Sequence, residues 1–477
     1  MVEKHLHMLE SVPLDKLVKD EYRIYQIYTL MDRAIPYLAD GLKPGQRRIL
    51  FTLWKNQSKG LMKVSSVTGL VLTLHPHGPA SVESTIVNMA QDYTFTNNYP
   101  LIDKKGYFGE RMETAAAASR YIECKLGEMA KLLLFDDMNQ VQMIPNYDER
   151  TMEPVNLLPK LPLMLMNGSE GIGTGFSSVI PSFHHKDIID SMIQYVKTSK
   201  AKKIRPFVHN YKNKIEVDER KRLLFHMNFE EINGKIYITE LPRTYDATKL
   251  YKFLSKHIES GFLKDYIDSS VDNDIMVELI FKRGQNPSLS EVAKQMKTQT
   301  SMVPNYTLIS ENGVKIFQKV EEIIEIFTKR RIEIVKQRYI LLCEDYKSRI
   351  KKNNEIIKFI RQKEYEAATK RKNRKDFVDY LIKKKFIYSD YLADMPIYRM
   401  TKDEVNKRKL LVKDEQIKLK EYTKVASSPR LIKKKLILEL EEINQKINDW
   451  LLEKRKERTK LRKKVAKVKV PRSKKKK

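Results

Sequence analysis

The sequence predicts a mixed α+β, multidomain chain with a long antiparallel coiled-coil arm. Three observations carry this expectation. The chain has 477 residues, enough for two to four domains. Residues from about 161 to 310 hold strand-like runs, Lys235–Glu240 and Ile275–Phe281, beside the turn signals Asn233-Gly234 and Asp272-Asn273-Asp274. From about Val314 the texture changes: Val314–Tyr365 contains no Pro or Gly and is dense in Ile, Leu, Lys, Arg and Glu, and Leu431–Arg462 is similar. Two such helices, apolar on a single stripe, suit an antiparallel arm with a small globule at its tip.

The first 160 residues mix helical periodicity with turns. Lys43–Trp54 has Pro44 at its start and an apolar face of Ile49, Leu50, Leu53 and Trp54. Ala80–Gln91 carries Val82, Ile86 and Met89 on one face, after the polar approach Leu74-His75-Pro76-His77-Gly78-Pro79. Two short helices joined through a polar turn fit a helix-turn-helix or winged-helix module.

Composition narrows the function classes. The net charge is +30, and 41% of residues are hydrophobic. Such a balance favours a polyanion, above all nucleic acid. Part of the excess lies in Lys460–Lys477, rich in Lys and Arg and free of acids; such tails are usually disordered and hold phosphate without sequence preference. Two cysteines, Cys124 and Cys343, are too few for a disulfide framework or a cysteine-based metal site. No signal peptide or membrane-length apolar run is visible, so a soluble, intracellular chain is expected.

The chemistry concentrates in Gly106-Tyr107-Phe108-Gly109-Glu110-Arg111 and Ala115-Ala116-Ala117-Ala118-Ser119-Arg120-Tyr121-Ile122-Glu123. Read alone, Tyr121 is one of 24 tyrosines, most of which are structural. A phenol keeps its proton at neutral pH and needs help to act as a nucleophile. An adjacent guanidinium or a divalent metal gives that help.

Gly-x-Phe-Gly followed by Ala-Ala-Ala-Ser-Arg-Tyr resembles the active-site segment of type IIA DNA topoisomerases: gyrase A, topoisomerase IV A, the eukaryotic topoisomerase II and the phage enzymes, including the phage medium subunit. Further segments resemble the family in the right order. They are Arg33-Ala34-Ile35-Pro36 with Asp40–Arg48; His75-Pro76-His77-Gly78 with Met89-Ala90-Gln91; Asn167–Gly175 with Ile180-Pro181; and Met395–Lys402. The resemblance spans about residues 20 to 450.

The resemblance implies a division into an N-terminal arm (1–30), a winged-helix breakage–reunion domain (31–160), a tower domain with strands (161–313), and a coiled-coil arm (314–462) with a C-gate globule near 366–430. A basic tail (463–477) follows. It also implies roles. Tyr121 attacks a DNA phosphate, and Arg120 and Arg33 stabilise the charge there. His77 and His75 lie near the scissile strand. Lys43, Arg47 and Arg48 contact the DNA backbone, and Ile180 is the wedge that bends DNA. A structural reading stands beside each: His75 as a hydrogen-bonder, one of Arg47 and Arg48 as a helix-surface residue, Ile180 as core. Gly171-Ile172-Gly173-Thr174-Gly175 lacks nucleotide-fingerprint spacing, and Asp272-Asn273-Asp274 reads as a turn rather than a metal pair.

No P-loop and no convincing Glu-Gly-Asp with Asp-x-Asp is visible in the sequence. The resemblance implies a need for Mg2+ and ATP, so both are expected on a partner of the B type, carrying ATPase and Toprim domains, in an A2B2 assembly built on a homodimer of this chain. No metal ligand is expected on this chain. After the return helix only the basic tail follows, so a DNA-wrapping β-propeller is not expected; relaxation or decatenation is. Ala80 and Ser84 stand where bacterial relatives usually carry the serine and acid used by quinolones, so weak drug response is expected. Two rivals are a non-catalytic, basic architectural DNA binder and a meiotic or archaeal-type strand breaker.

Overall fold

The structure is a computed structural model that describes residues 14–271 and 273–467. The expected N-terminal arm and basic tail lie partly outside these residues. The described chain forms two compact units. The first comprises residues up to Lys329 together with those from Leu440 onward, and the second is Arg330–Glu439.

In the first unit, three helices (Pro44–Lys55, Val64–Leu72 and Pro79–Ala90) pack on one another. Buried Ile49, Leu50, Leu53, Val64, Val67, Val71, Val82, Ile86 and Met89 fill the space between them. A three-stranded antiparallel sheet flanks them: Met62–Lys63, then Glu123–Leu126, then Ile102–Lys105. Three helices with a small sheet make the winged-helix pattern. The outer helices follow the expected periodicity. The middle one, Val-Ser-Ser-Val-Thr-Gly-Leu-Val-Leu, is β-branched and holds a glycine, so propensity conceals it and burial of its apolar face decides it.

Further along, Asn228–Ile232, Lys235–Glu240, Val277–Ile280 and Asp265–Asp268 form one antiparallel sheet in that order. Asn233-Gly234 makes the expected two-residue turn, with Ile232 opposite Lys235. The Ala247–Glu259 and Leu289–Gln295 helices accompany the sheet, and Ile238, Leu250, Leu254, Val277 and Val292 form the shared core. Asn273 and Asp274 make the contacts of a turn: the Asn273 side-chain oxygen accepts the Thr94 amide at 3.0 Å, and Val271 bridges to Asp274.

The long helix expected from Val314 starts later. Gly313–Phe317 is a strand paired with Tyr306–Ser310, and the helix runs Val320–Arg361. Val314, Ile316 and Phe317 are good strand formers, a signal that the following helical texture masks. The sheets are small and open, and among the described residues none closes into a barrel.

In the second unit, residues 330–361 of the Val320–Arg361 helix run opposite to the Lys402–Ala426 helix and pair with it. Cys343 Sγ lies 3.6 Å from Thr423 Oγ1, and Asn353 Nδ2 donates to Glu415 Oε2 at 3.2 Å. Arg331 and Arg338 both bond Glu439, at 3.0 and 2.9 Å. Ser427-Ser428 separates Lys402–Ala426 from the final Pro429–Lys467 helix. The return helix therefore begins near residue 402 rather than 431. Phe359, Phe377, Leu381, Phe386, Leu392 and Met395 form the globule's core.

Candidate active site

Tyr121 closes a turn immediately before the central strand of the small sheet. Its amide donates to the Ala118 carbonyl at 2.9 Å. The Ser65 and Val64 amides donate to the Ser119 and Ile122 carbonyls, at 3.3 and 3.1 Å. The turn thus hangs from the start of the Val64–Leu72 helix. Ile122 is buried while Tyr121 is 66% exposed, because successive residues point to opposite faces as the chain enters the strand. The Arg120 guanidinium lies over the Tyr121 ring, 4.6 Å from its centre. Lys63 Nζ reaches the Tyr121 carbonyl at 3.4 Å. Lys63 and Lys105 share one acid, Glu123, each at 3.0 Å, and hold that carboxyl below its usual range. The phenol therefore stands in water on an electropositive rim.

The segment before it is braced from two sides. Gln91 Nε2 donates to the Phe108 carbonyl at 2.9 Å. Buried Arg111 donates to the carbonyls of Tyr245, Leu241 and Pro242. Gly109 has φ +85°, and a Cβ there would meet the Thr114 carbonyl oxygen at 2.5 Å. Only glycine fits, which gives that signature residue a physical reason.

A second cluster forms elsewhere in the first unit. Arg33, Lys43, Arg48, His75 and His77 line one cavity of about 210 Å³, with Ser81, Thr85 and Asn88 of the Pro79–Ala90 helix. Lys43 Nζ donates to the Glu170 carbonyl at 2.7 Å, and burial lowers its pKa. Burial and then Arg48 hold the His75 imidazole below its ordinary range. His77 Nδ1 accepts the Gly78 amide at 3.1 Å. Arg33 is exposed. Tyr121 and Arg120 are not on this cavity's wall.

Two expected DNA contacts need correction, and a third is constrained. Arg47 is buried: Nε bonds Asp40 Oδ2 at 2.6 Å, and its terminal nitrogen bonds Asp40 Oδ1 at 3.2 Å and Asn156 Oδ1 at 3.1 Å. Its guanidinium holds the chain together and does not face solvent. Ile180 is also buried, 1% exposed, at the base of the Ser169–Ile172/Ser177–Ile180 hairpin, where it pairs with Ser169. It cannot enter DNA. Arg48 forks onto Glu153 at 2.7 and 3.0 Å, so only part of its charge is turned to the cavity.

The hairpin exposes a different residue. Ile172 stands at its tip, 90% exposed, with half-covered Phe176 nearby. The glycines here are packing devices rather than a nucleotide loop. A Cβ on Gly171 would come within 2.0 Å of the Ala34 carbonyl oxygen, so the hairpin sits directly against the residues that carry Arg33. Ile172 was hidden in the sequence by this glycine-rich setting; an isolated Ile between two glycines is the signal that could have found it.

The family of DNA gyrase and topoisomerase IV A subunits matches residues 33–441. The chain belongs to that family. It is 31% identical over 370 residues to the mitochondrial DNA topoisomerase 2 of Dictyostelium discoideum, covering 74% of this chain and 28% of that one. It is 27% identical over 477 aligned positions to the DNA gyrase A protein of Chlamydia trachomatis, covering 90% and 55%. Its fold matches the DNA-binding, cleavage and re-ligation domain of Plasmodium falciparum topoisomerase II, with a TM-score of 0.77, 25% identity, and coverage of 91% and 64%. The chain thus spans between about a quarter and just over half of the curated relatives' length. Within this gyrase/topoisomerase IV A fold, the matched stretch includes the Tyr121 turn, the basic cavity and the Ile172 hairpin.

Among the described residues no three His, Cys, Asp or Glu side chains gather to hold a metal ion, and no helix is long and apolar enough to cross a membrane.

Proposed function

We propose that this chain is the DNA-breaking and rejoining component of a type II topoisomerase, with Tyr121 as its nucleophile. The observation that carries this reading is the solvent-exposed phenol of Tyr121 under the Arg120 guanidinium, on a turn braced by both the helices and the sheet. The Tyr121 oxygen attacks a backbone phosphorus, and the bond to the 3′ oxygen breaks. The tyrosine becomes joined to the 5′ phosphate, the phenolic proton departs, and the 3′ oxygen takes one up. No water is consumed, so the reverse step reseals the strand. Arg120 stabilises charge on the phosphate oxygens.

Arg33, Lys43, His75 and His77 bind and position the DNA in the second cluster. A homodimer cuts both strands, a second copy of the chain supplying the tyrosine; the place of Tyr121 off that cavity's wall suits this reading. Ile172 replaces Ile180 as the apolar wedge beside it. The residues around Tyr121 are mainly cations, which do not form a metal ligand set. In this reading Mg2+ and ATP are held by a B-type partner with ATPase and Toprim domains. Residues 14–28 expose Leu14, Ile24, Tyr25, Ile27 and Tyr28, an apolar surface suited to that partner. The domain division given above, with the winged helix at 31–160, the tower at 161–313 and the arm at 314–462, stands as part of the proposal, as does a nucleoid location in the cytoplasm.

The test is a cleavage assay with supercoiled DNA, the cognate ATPase/Toprim partner, Mg2+ and ATP, quenched by denaturant. The wild type is expected to give protein-linked DNA, and Tyr121→Phe none, while both bind DNA alike. No adduct from the wild-type complex would leave a non-catalytic architectural binder and overturn the proposal.

A further inference from the structure

A separate cavity of about 680 Å³ lies in the first unit, between the Ile102–Lys105 strand, residues 207–211 and the Trp450–Arg458 part of the last helix. That volume lies within the roughly 300–1,000 Å³ of small-molecule sites, and it is too small to admit a DNA duplex. Six cations line it (Lys104, Lys105, Lys125, Lys454, Arg455 and Arg458) against two acids, Asp92 and Asp103, a balance of six minus two, or +4.

The acids are already engaged. Asp92 holds Lys104 at 2.6 Å and Arg458 at 3.2 Å, and Asp103 holds Lys125 at 3.7 Å. Lys105 is on Glu123. Among the described residues Arg455 has no carboxylate within ion-pair distance, and Lys454 has only the exposed Glu457, at 3.2 Å. His209 Nε2 is buried without a hydrogen-bond partner. Burial and then His184, His185, Arg455 and Arg458 push that imidazole down to about 3, so the ring is neutral and the crowding of positive charge is that of the lining cations themselves. A dianion relieves that crowding. Trp450, Ile102, Pro100 and Phe207 add apolar surface to the lining, and Lys454 Nζ lies over the Trp450 ring, 6.0 Å from its centre.

We propose that this cavity binds a small organic phosphate with a planar body, of the nucleoside diphosphate class. The phosphates lie against Arg455 and Lys454, and the planar body lies on the Trp450 side.

The chain holds two tryptophans, Trp54 and Trp450, and Trp54 does not line this cavity. A full-length Trp54→Phe variant therefore reports on Trp450 fluorescence alone; calorimetry on the wild type serves if that variant misfolds. ADP, pyrophosphate and adenosine are titrated separately. ADP is expected to quench saturably, pyrophosphate to compete at least tenfold more weakly, and adenosine to fail at tenfold higher concentration. Lys454→Gln/Arg455→Gln, with an unchanged circular dichroism spectrum, is expected to weaken ADP at least tenfold. Absence of saturable binding, binding indifferent to the double substitution, or displacement of ADP by a short duplex overturns the proposal. Pyrophosphate binding as tight as ADP overturns the planar half of it.

Discussion

Asp40 is fully buried and accepts hydrogen bonds from Arg47, the Leu42 amide and the Leu157 amide. Arg47 is the buried cation it neutralises. Removing one member of such a pair strands the other in a low-dielectric site, at about 3–5 kcal/mol. Asp40→Asn is therefore expected to lower the denaturant midpoint sharply. Ile172 is the opposite case. Its side chain is almost wholly in water, so Ile172→Ala is expected to change stability by less than about 0.5 kcal/mol while reducing DNA bending, read by energy transfer between labelled duplex ends. Unchanged bending in Ile172→Ala would remove the wedge role. This contrast also shows what could be read from residue types alone. Arg47 and Arg48 were legible as a basic pair, but burial, which makes one of them structural, depends on Asp40 and Glu153. The same holds for the wedge: the resemblance implies Ile180, whose place before Pro181 also suits a core residue, whereas exposure belongs to Ile172 at the hairpin tip.

Elements were more legible than residues where a periodic face coincided with local turn chemistry. The Pro44–Lys55 and Pro79–Ala90 helices begin at prolines that suit a first turn, and Asn233-Gly234 fixed a hairpin. Legibility failed where tertiary packing overrides propensity, as in the Val64–Leu72 helix and the Gly313–Phe317 strand. The Ser169–Ile180 hairpin lies between these cases: its glycines were visible, but their reason was not. Close approach to Ala34 is that reason, and it makes the element testable. Gly171→Ala must displace the hairpin from the Leu30–Ala34 segment, at about 1–3 kcal/mol. It is expected to lower both DNA bending and cleavage, even though no DNA-contacting side chain is lost. A variant that cleaves and bends like the wild type would show that the hairpin's seat is unimportant.

At the scale of the whole molecule two quantities matter, proton balance and charge. His184, His185 and His209 cluster with Tyr99 in the first unit. Tyr99 Oη lies 2.9 Å from His185 Nδ1, and Asn448 Oδ1 lies 3.1 Å from its Nε2. Burial pushes His185 down to about 4 and His209 to about 3, and lowers His184. The folded state therefore favours neutral rings. Their stabilisation is complete above the unfolded value near 6.5, declines as pH falls below it, and is lost as pH passes through the folded values. The melting temperature is expected to drop by several degrees between pH 7 and pH 5, and His185→Gln/His209→Asn to flatten that dependence; an unchanged slope would assign it to other groups. Charge acts on binding instead. A chain of net charge +30 that neutralises phosphates releases counterions, so log affinity falls with log salt by about 0.9 per contact. If Arg33 and Lys43 each hold a phosphate, the double variant Arg33→Gln/Lys43→Gln is expected to make the slope shallower by about 2. Arg47→Gln, whatever it costs in stability, is expected to leave the slope of the folded protein unchanged, because a guanidinium held on Asp40 releases no counterion. A slope equally sensitive to Arg47→Gln would mean that the Asp40 pair opens on DNA, and the division between structural and DNA-facing arginines would have to be redrawn.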